Sequence, residues 1–180
     1  MIGVGAAAAA AAAGAASKPQ KLLRPTGAEF GAAAFPQLQK IAGTAWPYYV
    51  LDFDAAASEA AHWYAQVPPG FTPVTANLEV YWLAQVATSC GVVAWTVTTR
   101  AVPSASSWDG AGGAAAIAAG CATCAGYVLR QQVTSGHIPC SSGWAGSDLI
   151  QIKIERDVAT DTLGTDARFL MGVLSMSSST

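Results

Sequence analysis

Cys121-Ala122-Thr123-Cys124 has the spacing of half a zinc site or of a redox pair. A zinc knuckle needs a second ligand pair, and only Cys90, Cys140, His62 and His137 remain, at irregular separations. A redox pair sits where a strand feeds a helix, whereas this pair lies in a Gly/Ala-rich stretch. Free thiols in small buried or loop positions are the default reading. The two histidines, His62 and His137, lack a Gly-x-Ser-x-Gly elbow or any other recognisable catalytic neighbourhood. Asp157, Asp161 and Asp166 crowd one segment, and oxygen-rich loops can hold calcium. Their spacing does not match the alternating ligands of a calcium-binding helix–loop–helix. The residues read instead as a turn in which Asp161 and Thr162 bond backbone while Arg156 and Arg168 balance the charge. Asp52 and Asp54 flank Phe53 on one strand face, again with no third group to orient a substrate. The expectation is a protein with no catalytic residues, no metal and no cofactor.

Six tryptophans are the remaining chemical resource. Trp63, Trp82 and Trp95 fall at alternating strand positions and read as core. Trp108 and Trp144 lie in Gly/Ser loops and are the expected exposed contacts, either as a platform for sugar rings or as interface anchors. Gly110-Ala111-Gly112-Gly113 has no phosphate-binding context and reads as a loop.

The elements that must position these residues are strands. Asp148 to Arg156 alternates Ile150, Ile152 and Ile154 with Gln151, Lys153 and Glu155, placing one apolar row on a core and one polar row in water. Arg168 to Met176 is apolar on both faces. It therefore lies centrally in its sheet or under a neighbouring subunit, which makes Phe169 and Met171 candidate interface residues. Further strands are expected at residues 48–53, 60–67, 77–86, 91–99 and 127–133, with a long small-residue excursion over 101–125 and a short helix at 114–119. Short strands separated by Gly, Pro and Ser turns point to an all-β fold, an antiparallel β-sandwich of jelly-roll type. Pro19, Pro25 and Pro36 make residues 1–45 an extended N-terminal arm with little regular structure, followed by a sandwich over 46–176 and a tail at 177–180.

Composition narrows the function classes. Hydrophobic residues make up 52 % and charged residues only 11 % of the 180, against about 25 % charged in ordinary soluble domains. Much of the exterior is therefore small and neutral, or buried against other chains. Nine Lys and Arg and a net charge of -2 offer no phosphate-neutralising stripe, so nucleic acid is an unexpected partner. The run from Ile2 to Ala13 lacks the positive start of a signal peptide, and no stretch is apolar enough to span a membrane.

A set of ordered segments carries a resemblance. Leu51-Asp52-Phe53-Asp54, Ser58 to Trp63 and Val67-Pro68-Pro69-Gly70-Phe71 are followed by Leu78 to Trp82. Then come Ala87-Thr88-Ser89 leading to Val93-Ala94-Trp95, and finally Arg156-Asp157, Asp161-Thr162-Leu163 and Asp166-Ala167. Over residues 45–175 this order resembles a family of tailed-bacteriophage virion proteins with a β-sandwich and a Pro-rich arm. The sequence departs from that pattern at Cys90-Gly91 and in the alanine-rich arm. The resemblance implies a non-enzymatic capsid decoration (cement) protein on the capsid exterior, a trimer that clamps the major capsid protein through arm and sandwich edges. A tail or head-fibre adhesin or carbohydrate-binding module, using Trp108, Trp144 and the 101–125 excursion, is the alternative.

Overall fold

The computed structural model describes residues 18–86, 91–103, 106–110, 112–117, 121–122, 132–139 and 143–178. Within them lie thirteen strands and one short 3-10 turn at Pro25–Gly27, and no α-helix. The strands are β1 (Gln20–Leu23), β2 (Glu29–Phe30), β3 (Gln37–Ile41), β4 (Tyr48–Phe53), β5 (Ala60–Gln66), β6 (Pro73–Ala84) and β7 (Gly91–Val92). They continue with β8 (Trp95–Val102), β9 (Gly113–Ile117), β10 (Cys121–Ala122), β11 (Gln132–Pro139), β12 (Leu149–Arg156) and β13 (Ala167–Ser178).

The chain pairs with itself as one long rolled hairpin. β4 pairs β13, β5 pairs β12, β6 pairs β11 and β8 pairs β9, all antiparallel. Rolling that ladder stacks β11-β6-β13-β4 (sheet A) against β5-β12-β8-β9 (sheet B), the strand order of a jelly roll. The expected all-β sandwich is therefore what the chain forms.

The core fills the space between the sheets with the alternate residues that the period-2 pattern selects. Sheet B contributes Ala61, Trp63, Trp95, Val97, Ile150, Ile152 and Ile154; sheet A contributes Leu51, Phe53, Leu78, Val80, Trp82, Phe169 and Leu174. Phe53 meets Trp95 edge-on at 5.1 Å, and Trp63 meets Phe169 at 5.2 Å. Such aromatic pairs, the first edge-to-face and the second tilted at 37°, add to the stabilisation from buried area. Phe169, expected at an interface, is fully buried here. A bulge explains why β13 reads as apolar on both faces. Leu170 is skipped in the pairing to β6, so the register shifts between Phe169 and Met171. β13 is central, with β6 along one side and β1 and β4 end to end along the other.

Two expectations are corrected. Residues 20–41 do not trail as an irregular arm: β1 adds to β13, β2 to β5 and β3 to β4. Proline-rich chain is already extended, so it satisfies open sheet edges at little conformational cost wherever no proline N–H is needed. Pro19, Pro25 and Pro36 all fall outside the strands, Leu23 is buried in the core, and the Trp63 indole donates to the Arg24 carbonyl at 2.9 Å. Residues 1–17 lie outside the described residues. The helix expected at 114–119 is instead strand β9, paired with β8; sheet pairing overrides the helix preference of an alanine run. The strand expected at 127–133 lies largely outside the described residues, and β11 runs from Gln132 to Pro139.

One buried ion pair ties the closing segment to both sheets. Arg156, at 0 % exposed, donates to both carboxylate oxygens of Asp161 (2.8 and 3.1 Å), to the Phe53 carbonyl (3.0 Å) and to the Leu163 carbonyl (2.8 Å). Asp161 in turn accepts from the Leu163 amide at 2.6 Å. Thr162 completes the turn by accepting from the Val92 amide and donating its own amide to the Val92 carbonyl, each at 2.9 Å. The acidic segment is thus a structural turn. Removing one partner leaves an uncompensated buried charge, so Arg156→Ala should cost about 3–5 kcal/mol of stability. Urea denaturation checks this; a loss under 1 kcal/mol would show that the pair is not what holds the loop.

Candidate functional site

The two outer faces of the sandwich differ in chemistry. On sheet B the residues alternating with the core are polar. Tyr64, Gln151 and Arg100 form one cross-strand row, and His62, Lys153 and Thr98 the next. Directly opposed residues share a face, so the rows make a continuous surface. Residues 106–110 fold back over it. The Arg100 guanidinium donates to the carbonyls of Ser107 (2.6 Å) and Trp108 (3.0 Å), and the Gln151 amide donates to the same Trp108 carbonyl at 3.1 Å. Glycine is what allows this approach: a Cβ on Gly110 would come within 2.8 Å of the Arg100 guanidinium carbon, and one on Gly112 within 2.8 Å of the Thr99 carbonyl. The glycine-rich stretch is therefore a packing device for a loop.

That loop holds Trp108 edge-on to Tyr64, at 5.6 Å and 76°, with the rings 59 % and 40 % exposed. Beneath them is a cleft of about 260 Å³ lined by His62, Tyr64, Thr98, Arg100, Trp108 and Lys153, among others. Burial, and then the Lys153 charge, lower the His62 pKa below its ordinary 6.5, with Glu155 opposing. His62 is accordingly neutral at pH 7, able both to donate and to accept. Lys153 is held by Glu155 at 2.6 Å.

Trp144, expected as an exposed loop contact, is only 1 % exposed and belongs to the core. Loop position alone did not distinguish it from Trp108. Neither the Tyr64 partnership nor the Arg100 anchor was anticipated. The signal for both was the polar row of the alternating strands, legible once the register is known. Cys90, Cys124 and Cys140 lie outside the described residues.

The outer face of sheet A carries an apolar patch among polar residues such as Asn77, Glu79 and Arg168. The segment after β3 turns at Gly43 (φ +57°), where a Cβ would strike the Trp46 carbonyl. It carries Trp46, 82 % exposed, over a groove of about 470 Å³ lined with Ile41, Trp46, Tyr48, Leu83 and Leu170. Met171 is half-buried beside this region, paired across strands with Tyr81. At one end Asp52 is buried opposite Arg168, with their charged atoms 3.5 Å apart. Burial raises the Asp52 pKa above its ordinary 3.8; Arg168 opposes this and Asp166 adds to it. The neighbouring carboxylates are spent on turns: Glu59 accepts from the Asp54 amide (2.7 Å), Asp54 from Ala56 (2.6 Å) and Asp166 from Ala55 (3.1 Å).

Two outcomes follow. Because the folded Asp52 pKa is raised, its ionised form is less favoured in the fold than in water. Its stabilising preference for the proton is complete below pH 3.8 and fades as pH rises through the folded value. Asp52→Asn should therefore raise the melting temperature at pH 7, with the gain vanishing as pH falls toward 3.8; a lower melting temperature at pH 7 would mean that the Arg168 pairing outweighs the burial. Separately, Arg100→Ala should release residues 106–110, seen as faster acrylamide quenching of Trp108 in a background where Trp46 is Phe. Unchanged quenching would refute the anchoring role.

No protein-family model matches the sequence, and no curated protein matches it. Among solved structures, the enzymatically active domain of bacteriophage CBA120 tailspike protein 4 aligns over 90 % of this chain and 20 % of its own length, at 7 % identity and a TM-score of 0.41. The chain thus spans about a fifth of the length of that structure.

Proposed function

We propose that this protein is a non-enzymatic structural component of a tailed-phage virion, a decoration protein that binds the outside of the major capsid shell and assembles as a trimer. The observation that carries the reading is an apolar patch on the outer face of sheet A. Trp46 stands 82 % exposed above a groove lined by Ile41, Tyr48, Leu83 and Leu170. Clustered exposed apolar side chains with a tryptophan among them are the usual make-up of an interface core. A chain with only 11 % charged residues has few other means of covering that face. The ordered sequence segments that resemble phage virion proteins support the same assignment. Edge strands β1, β2 and β3 supply the clamp, so the contact is made by a folded surface.

The test is co-sedimentation of the full-length protein with empty capsids of the phage that encodes it, together with analytical ultracentrifugation of the protein alone. Wild type should sediment as a trimer and bind capsids. Trp46→Asp with Leu170→Asp should lower capsid binding at least tenfold while circular dichroism remains that of a folded β protein. A monomer that leaves capsids unlabelled would overturn the assignment.

A further inference from the structure

The cleft on the opposite face, outside sheet B, plays no part in that assembly. We infer that it is a saccharide-binding site for a neutral hexopyranose unit, with Trp108 and Tyr64 as its aromatic walls and His62 and Thr98 on its floor.

The first argument is the state of Trp108. An indole 59 % exposed gains little from burial, yet the backbone beneath it is fixed by three hydrogen bonds from Arg100 and Gln151 and by two glycines that permit close packing. The ordering cost of an exposed aromatic is thus met before any ligand arrives, which is how preorganisation raises affinity. The second is the shape of the pair. The two rings stand nearly perpendicular, 76° apart at 5.6 Å, and both line the same cleft. A pyranose offers an apolar C–H face for an aromatic ring and a rim of hydroxyls for polar neighbours.

The third argument is hydrogen-bonding capacity. Among the described residues, the Tyr64 and Thr98 hydroxyls and the His62 imidazole make no intramolecular hydrogen bond, although all three line the cleft. Neutral His62 serves hydroxyl groups in both directions. The fourth is charge. The Arg100 guanidinium is committed to the carbonyls of Ser107 and Trp108, Lys153 is paired with Glu155, and Asp109 adds a negative charge at the rim. Counted together, Arg100 and Lys153 are matched by Asp109 and Glu155, so the cleft carries no net charge and suits a neutral ligand. A volume of about 260 Å³ falls just below the ~300–1,000 Å³ of pockets for larger ligands, which suits one or two sugar rings.

The experiment uses the full-length protein on an array of immobilised neutral oligosaccharides built from glucose, galactose, mannose and N-acetylhexosamines, with polygalacturonate and heparin as anionic arms. Saturable binding to at least one neutral probe is expected. Trp108→Ala and Tyr64→Ala should each weaken it about tenfold or more, the equivalent of a single aromatic contact. Trp108→Phe should retain most of it, which separates loss of the ring from loss of the fold. Trp46→Asp, on the other face, should leave it unchanged, so assembly and sugar binding fail independently. The inference is overturned by an absence of binding to every neutral probe at millimolar concentration. Binding confined to the anionic arms, or neutral-probe binding that survives Trp108→Ala, overturns it equally.

Discussion

A single guanidinium is where the parts of this fold meet. Arg156 ends β12 in sheet B, bonds the carbonyl that ends β4 in sheet A, and holds both oxygens of Asp161 in the loop leading to β13. Every partner is a charge or a backbone carbonyl, so each donated hydrogen bond has a geometrically fixed acceptor. A buried ion pair is seldom stabilising against an apolar replacement, because desolvation offsets most of the Coulomb attraction. Its donors instead fix the course of the 157–166 segment, meeting both oxygens of Asp161 and the Leu163 carbonyl just before the chain enters β13 in register between β6 and β4. The position of Phe169, and with it the Trp63–Phe169 contact, follows from that register.

From that frame come two outer faces that differ in chemistry. Sheet A carries the bulge at Leu170, which turns Met171 outward beside Tyr81, and it is covered only in part by the Trp46 segment. Sheet B carries Tyr64, His62, Lys153, Gln151 and Arg100 in register on three adjacent strands. A jelly roll sets such faces on opposite sides of one core. One side can therefore be buried against a large neighbour while the other stays in water. On this division the proposed assembly and the proposed ligand binding would use separate faces of one domain.

Strand periodicity made most of the architecture legible. The isoleucine row of β12 named its buried face, and Trp63, Trp82 and Trp95 were placed in the core by alternation alone. Where the reading failed, the deciding information was not local. Trp108 and Trp144 share a Gly/Ser setting, yet one is held at the surface by Arg100 and the other is enclosed by the sandwich. An alanine run that favours a helix in isolation became β9 because β8 offered an open edge. The proline-rich stretch was correctly extended, but extension does not say whether a segment trails free or completes a sheet.

What the sequence determined by itself is therefore the class of fold, the inner and outer faces of each regular strand, and the scarcity of charge. These follow from period-2 patterning and composition, which need no knowledge of distant contacts. Tertiary structure alone decided which strands became neighbours, which tryptophan remained in water, and which polar residues from three strands line one cleft. Those outcomes depend on register and on long-range pairs such as Arg156 with Phe53, whose energies exist only after the chain has closed on itself.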